Sequence, residues 1–268
     1  MTDADLPAFW TTRTAHHRLT TFDLGKSIML SKTLPDGSEP LPRIPELPQA
    51  FAELLHCRRS VRGFAKQPVP EGIIRKVFEL GQLAPSNCNV QPWRTYIASG
   101  AAKDRLRNAL TTQVQNQVPA NPDYAYNDRF DEPYRGHQIS CAVTLFKEMG
   151  IQRDDKVGRA RANLRNYEFF DAPHVAFIGM QRKFKEPVAI DIGIYLQTLM
   201  LAMTAYGIGC CAQGSLRNYP DIIRREFEIS DDIGILVGLS FGYEDSSVDA
   251  NRARMTRAPL EENVVFRS

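Results

Sequence analysis

The sequence predicts an α+β layer fold, and three observations carry that prediction. Strand-like apolar runs are few, and long helical patterns separate them without the regular βα alternation of a doubly wound sheet. Residues 187–206 read as a helix that is apolar nearly all round, which demands cover on several sides. The chain has 268 residues, 43% of them hydrophobic, enough for one large domain with a substantial core.

Each element has a local reason. Residues 1–46 form a proline-rich arm, and LPDGSEPLPRIPELP excludes a helix there. The remainder, 47–268, reads as a single domain. Residues 47–57 are helical by the spacing of Leu47, Phe51, Leu54 and Leu55, and the loop CRRSVRGFAKQPV comes next. Pro70 opens a second helix carrying Ile73, Ile74, Val77 and Phe78. The connection APSNCNVQPW leads into a strand, Trp93–Ala98, ended by Ser99-Gly100. A polar-faced helix covers 102–116, a loop rich in Tyr, Asp, Asn and Pro covers 117–135, and two helices are expected over 136–149 and 154–167. Pro173–Met180 is an apolar strand, followed by the long helix, whose apolar surface suits either a core or a subunit interface. GIGCCAQGS is a short strand and turn with Gly207 as helix cap, 219–227 a short helix, and Ile233–Tyr243 a strand. The tail ANRARMTRAPLEENVVF is expected to end in a terminal strand.

Bulk properties exclude several functions. A net charge of +2 gives no global reason to expect nucleic acid as a partner. The five cysteines contain no CxxC pair, so neither a zinc site nor a secreted disulfide scaffold is expected. MTDADLPAFW lacks the features of a secretory signal, and Asp191, Gln197, Thr198 and Thr204 interrupt the most apolar window, so no membrane span is expected. The expected setting is the reducing cytoplasm.

The residues able to carry chemistry are cationic and polar. In the run Arg58-Arg59-Ser60-Val61-Arg62, Arg58, Ser60 and Arg62 alternate, so in extended chain they point one way. Two forked guanidiniums flanking a hydroxyl suit a phosphate, and a solvated loop is the plainer alternative. A second cluster, Arg252, Arg254 and Arg257 with Asn251 and Thr256, could hold the same phosphate if the chain ends fold back together. No Walker loop or GxGxxG is present, which disfavours P-loop and Rossmann sites. The small residues of Gly207–Gly214 would let a flat ligand lie against the main chain, with Cys210 and Cys211 read as apolar filler. His174 reads as a satisfied core histidine, and no constellation for hydrolysis emerges.

RRSVRGF, then APSNCNVQPW, GIGCCAQG and RMTRAPLEE together resemble the nitroreductase-like FMN oxidoreductases over about residues 50–268. The resemblance implies a three-layer fold with a central mixed β-sheet flanked by helices, in an interleaved homodimer with FMN at each interface. It implies that Arg58, Ser60 and Arg62, with their neighbour Arg59, meet the FMN phosphate, ribityl chain and pyrimidine edge, and that Arg257 joins them at the phosphate. Some members carry a lysine two residues before that arginine; here the position is Met255, with Arg254 beside it as substitute. Pro85, Ser86, Asn87 and Asn89 would reach the flavin of the other subunit, while Gln213 and Gly214 would lie beside the isoalloxazine ring near N5. Tyr124, Tyr126, Phe130 and Tyr134 are candidates to stack on a planar substrate. The implied activity is ping-pong transfer from NAD(P)H through FMN to a nitroaromatic or quinone, with no protein acid or base required. Alternatives are other chemistry on the same fold (dehalogenation, azoline oxidation, flavin cleavage) or FMN binding without turnover.

Overall fold

The computed structural model describes residues 45–124 and 129–268. The chain divides into two units, Met1–Ala50 and Phe51–Ser268, and the second holds the sheet and the helices that cover it. Its helices are α1 (Leu47–Cys57, shared with the first unit), α2 (Glu71–Gly81), α3 (Gly100–Gln115), α4 (Tyr134–Glu148), α5 (Lys156–Leu164), α6 (Glu186–Ala205), α7 (Pro220–Phe227) and the short α8 (Leu260–Asn263). Its strands are β1 (Arg94–Ser99), β2 (His174–Gln181), β3 (Gly209–Gln213) and β4 (Ile233–Gly242).

The strands form one sheet in the order β1-β2-β4-β3, and every neighbouring pair is antiparallel. The expected mixed sheet is therefore corrected: among the described residues the parallel component is a single bridge between Ser60 and Cys210. The three layers are present. Successive residues of β2 point to opposite faces, so Ala176, Ile178 and Met180 enter a core with Val77 of α2 and Tyr195, Leu199 and Met203 of α6. Val175 and Phe177 enter a second core with Leu106 and Leu110 of α3 and Ile223 of α7. With both faces covered, β2 reads as a continuous apolar run rather than an alternating one.

Local chemistry sets the boundaries. The carbonyl of Pro70 accepts the first amides of α2, from Ile73 at 2.9 Å and Ile74 at 3.1 Å. Gly207, at φ +69°, ends α6, with Ile208 N–H donating to Met203 O at 2.8 Å. Asp123 staples the loop after α3 to the sheet. It accepts the Ile235 amide at 2.7 Å and forms ion pairs with Arg182 and the buried Arg224. One face of α6 is core, while Ile190 and Ile194 are exposed in this chain. By length and composition α6 could cross a membrane, but its buried face belongs to the first core.

The expected terminal strand is not formed. Residues 260–263 are helical, and no strand of this chain pairs with Val264–Phe266, whose Val265 and Phe266 side chains are exposed.

Candidate functional site

The cation cluster arises where the chain leaves α1 and runs beside β3. Ser60 bridges Cys210, and Val61 N–H donates to Cys210 O at 3.0 Å. Val61 enters the core, while Arg58, Ser60 and Arg62 gather on the Cys210–Cys211 pair. Burial pushes the Cys210 thiol up to about 12. It raises Cys211 as well, against the opposing pull of Arg62, a hydrogen bond from Ser60, and Arg58. Both thiols stay protonated at neutral pH and act as packing groups.

Arg59 is turned the other way, as strand alternation requires. It forms an ion pair with Glu244 and donates to Asn251 O at 3.3 Å. The structure therefore places it behind the cluster with which the sequence grouped it.

The tail folds back onto this stretch through buried Asn251. Its Oδ1 accepts the Arg62 amide at 2.6 Å, and its Nδ2 donates to Gly63 O and Asp245 O, each at 2.8 Å. Its carbonyl accepts Arg254 at 2.7 Å. Arg257 is exposed and donates to the adjacent carbonyls of Met255 (3.3 Å) and Thr256 (2.9 Å). Among the described residues, Arg58, Arg62, Arg254 and Arg257 form no ion pair with a carboxylate, in contrast to Arg59 and Arg252. Arg58 and Arg62 beside the Ser60 hydroxyl, with Arg254 brought to the same stretch by the Asn251 carbonyl, make guanidiniums without counter-charge that fit a phosphate.

Beyond β3 the chemistry changes from side chain to main chain. Gln213 is buried, and its side chain is turned inward: Nε2 donates to Asn166 O at 2.9 Å and Oδ1 at 3.3 Å, and Oε1 accepts from Ser240. What this position offers a ligand is main chain. Gly214 adds room, since a Cβ there would meet nothing within 4 Å. Asn166 escaped the sequence reading because it lies in the polar turn after α5 with no motif around it. A cleft of about 400 Å³ opens beside Arg62, with Asn166, Phe170 and Met149 among its walls.

The APSNCNVQPW connection is a tight left-handed turn. Cys88 (φ 48°), Asn89 (φ 54°) and Gln91 (φ 47°) all occupy the region that favours glycine. Ser86 Oγ closes the turn by accepting the Gln91 amide at 2.9 Å. Trp93 stacks on Tyr195 of α6, with centroids 4.7 Å apart and planes 5° off parallel, and its indole N–H donates to Gln82 at 3.0 Å. Ser86 is half-buried, whereas Pro85, Asn87 and Asn89 are exposed. Ala84 and Trp93, at the two ends of the turn, belong to the α2/α6 core, as does Cys210 beside Ser60, whereas Val61 and Cys211 belong to the core on the opposite face of the sheet.

The aromatic candidates separate. Tyr124 donates to Met180 O at 3.3 Å and packs over Gly234, so it is a structural contact at the end of the sheet. Phe130 and Tyr134 are exposed at and before the start of α4. Tyr126 lies outside the described residues. Phe169 and Phe170 are core. His174 is buried, accepts the Val69 amide on Nε2 at 2.9 Å, and therefore carries its proton on Nδ1, toward Ser99 Oγ at 2.5 Å. Burial, and secondarily Lys103, lower it to about 4. It lines a second cleft, of about 750 Å³, between α2 and β1.

Three kinds of comparison agree. A family model described as the nitroreductase family matches residues 55–243. The chain is 39% identical to nitroreductase NfnB of Mycolicibacterium smegmatis, over 87% of this chain and 97% of that one. It is 33% identical to a 4-nitrobenzoate reductase of a Nocardioides species, over 88% and 98% of the two chains. The crystal structure of the FMN-dependent nitroreductase NfnB from Mycobacterium smegmatis in complex with NADPH superposes with a TM-score of 0.80, covering 83% of this chain and 100% of that one at 39% identity.

Proposed function

The chain belongs to the nitroreductase family, and from that premise we propose that it is an FMN-dependent oxidoreductase passing electrons from NAD(P)H to a nitroaromatic acceptor. The observation that carries the reading is the gathering of Arg58, Ser60 and Arg62 on Cys210–Cys211, with the tail that bears Arg254 and Arg257 pinned to the same stretch through Asn251, next to open main chain at Gly214. That donor set fits a flavin mononucleotide: dianionic phosphate, polyhydroxyl chain and flat ring.

Arg58 and Arg257 hold the phosphate, with Arg254 in support. Ser60 bonds the ribityl chain. Arg62 faces the pyrimidine edge, where a fixed positive charge favours the negative charge gained on reduction. Gln213 acts through its main chain, with its side chain locking the end of β3. When bound, FMN supplies the redox step, accepting a hydride from the nicotinamide and returning the electrons to the acceptor. The protein's part is to bind, orient and shield, and no residue here need exchange a proton with the nicotinamide.

Pro85, Ser86, Asn87 and Asn89 serve the flavin of a second copy. The support is local: Asn87 and Asn89 are exposed in this chain, and their turn is held by Asp191 of α6, the helix whose Ile190 and Ile194 are also exposed. The exposed Ile190 and Ile194 of α6 offer apolar surface for that copy. Phe130 and Tyr134 are the stacking candidates for the acceptor. All five cysteines are free, which suits a cytoplasmic protein.

The test is direct. Purified protein is yellow, its flavin absorbance bleaches on anaerobic addition of NADPH or NADH, and a nitroaromatic such as 4-nitrobenzoate restores it. Colourless protein that takes up no FMN refutes the proposal.

A further inference from the structure

Asp191 sits on α6 with its carboxylate almost wholly buried, 6% exposed. Its hydrogen bonds among the described residues are two, both from the Asn87 amide, at 3.3 Å to each oxygen. A carboxylate this deep is costly for folding, and an apolar residue would pack the position with a smaller desolvation penalty.

Asp191, Tyr195 and Leu199 lie four residues apart along one face of α6. Leu199 packs against Gly81 at the end of α2, and Tyr195 stacks on Trp93 at the start of the sheet. Asp191 holds the turn between them. The turn closes on itself through Asn89 N–H to Ser86 O, Val90 N–H to Asn87 O and Gln91 N–H to Ser86 Oγ. None of those bonds ties it to the rest of the protein. Among the described residues, the Asn87–Asp191 contact is the one hydrogen bond from residues 86–91 to another element. Three non-glycine residues at positive φ cost about 1–3 kcal/mol each and persist only where surroundings over-determine them.

We propose that Asp191 is a positioning residue for this turn: through the Asn87 amide it fixes the left-handed segment, and so the direction in which the Asn87 and Asn89 side chains face the cofactor. The inference rests on the reading that this turn contacts FMN. It also couples α6 to the site, because any rotation of the helix is delivered to Asn87.

The experiment uses the full-length protein with Asp191→Leu, which refills the volume, Asp191→Ala, and Asp191→Asn, which keeps one acceptor. FMN dissociation constants are measured by fluorescence titration, amide exchange is followed for residues 86–91, and Tm is recorded. Asp191→Leu is expected to weaken FMN binding about tenfold or more and to raise exchange within 86–91, while Asp191→Asn stays within about threefold of wild type. Wild-type FMN affinity and wild-type exchange in both Leu and Ala variants overturn the proposal. So does a fall in Tm with no change in either readout, or failure of both variants to fold. If the wild-type chain itself takes up no FMN, the functional reading has failed, and exchange alone then judges Asp191: protection of 86–91 lost in Asp191→Leu sustains its positioning role, and unchanged protection overturns it.

Discussion

Asn251 Oδ1 accepts the backbone N–H of Arg62 at 2.6 Å, joining positions 189 apart in the sequence. The same amide side chain binds the carbonyls of Gly63 and Asp245. Asn251→Ala strands the part-buried Arg62 amide and Asp245 carbonyl, while Gly63 O keeps the Asp245 amide at 3.0 Å. It is expected to cost about 2–4 kcal/mol of stability and to weaken FMN retention with it. Urea unfolding and flavin release on dilution measure the two effects.

Arg58 and Arg257 come from opposite ends of the domain and carry no carboxylate partner among the described residues. The double variant Arg58→Ala/Arg257→Ala is expected to lose about 2–4 kcal/mol of FMN affinity, with little change in Tm for the apoprotein. Unchanged retention of FMN argues against their assignment to the phosphate.

His174 links stability to pH. Its imidazole is held neutral and lowered to about 4, against an ordinary value of 6.5. Below pH 6.5 the unfolded chain takes up a proton that the native state refuses until about pH 4. Stability is therefore lost as pH falls across that window, by roughly 3 kcal/mol in all. His174→Gln, which can still accept from Val69, should lack this component. Urea melts at about pH 7, 5.5 and 4.5 for both proteins read the difference.

Asp123 is the anion of a buried pair with Arg224, and it also receives the Ile235 amide. Asp123→Ala removes the acceptor of the Ile235 amide and leaves the buried Arg224 only the exposed carboxylates of Asp221 and Asp231, and is expected to destabilise by about 2–4 kcal/mol. Replacing both partners with apolar residues of similar volume should cost less, which thermal melts of the single and double variants will show.

Thiol reactivity should divide the cysteines. Cys57, Cys88 and Cys141 are exposed, whereas Cys210 and Cys211 are buried with raised thiols. Native protein is expected to react rapidly with a thiol reagent at the exposed positions only, and denatured protein at all five. Rapid native labelling at Cys210 or Cys211, located by peptide mass, would contradict the packing described.

Most of the elements were legible because each imposes a period or a cap. The apolar spacing of α2, the cap at Gly207 and the continuous run of β2 all act over a few residues. What the sequence left unreadable depends on long-range pairing. Nothing near β1 or β4 tells a mixed sheet from an antiparallel one, and Val264–Phe266 has strand composition without a strand of its own chain beside it. At the site, RRSVR marked the cluster, but only the alternation seen in place turns Arg59 toward Glu244. Tyr124 is available to a substrate by sequence, yet its ring lies over Gly234. Asp191 shows in the sequence only as a charge interrupting an apolar window, and Asn166 not at all, because their importance lies in amides that reach them from distant segments.

The return of the tail onto residues 59–63 also has a meaning for biosynthesis. A nascent chain emerges from its N-terminal end, so Arg58, Ser60 and Arg62 leave the ribosome long before Asn251 can order them. The entropic cost of closing so long a loop falls once the intervening sheet has assembled. The cation cluster is thus among the last parts of the domain to become ordered. Truncation before residue 251 should leave a chain able to build much of its sheet yet unable to retain FMN, so flavin retention on newly made protein would report that the tail has folded back onto residues 59–63.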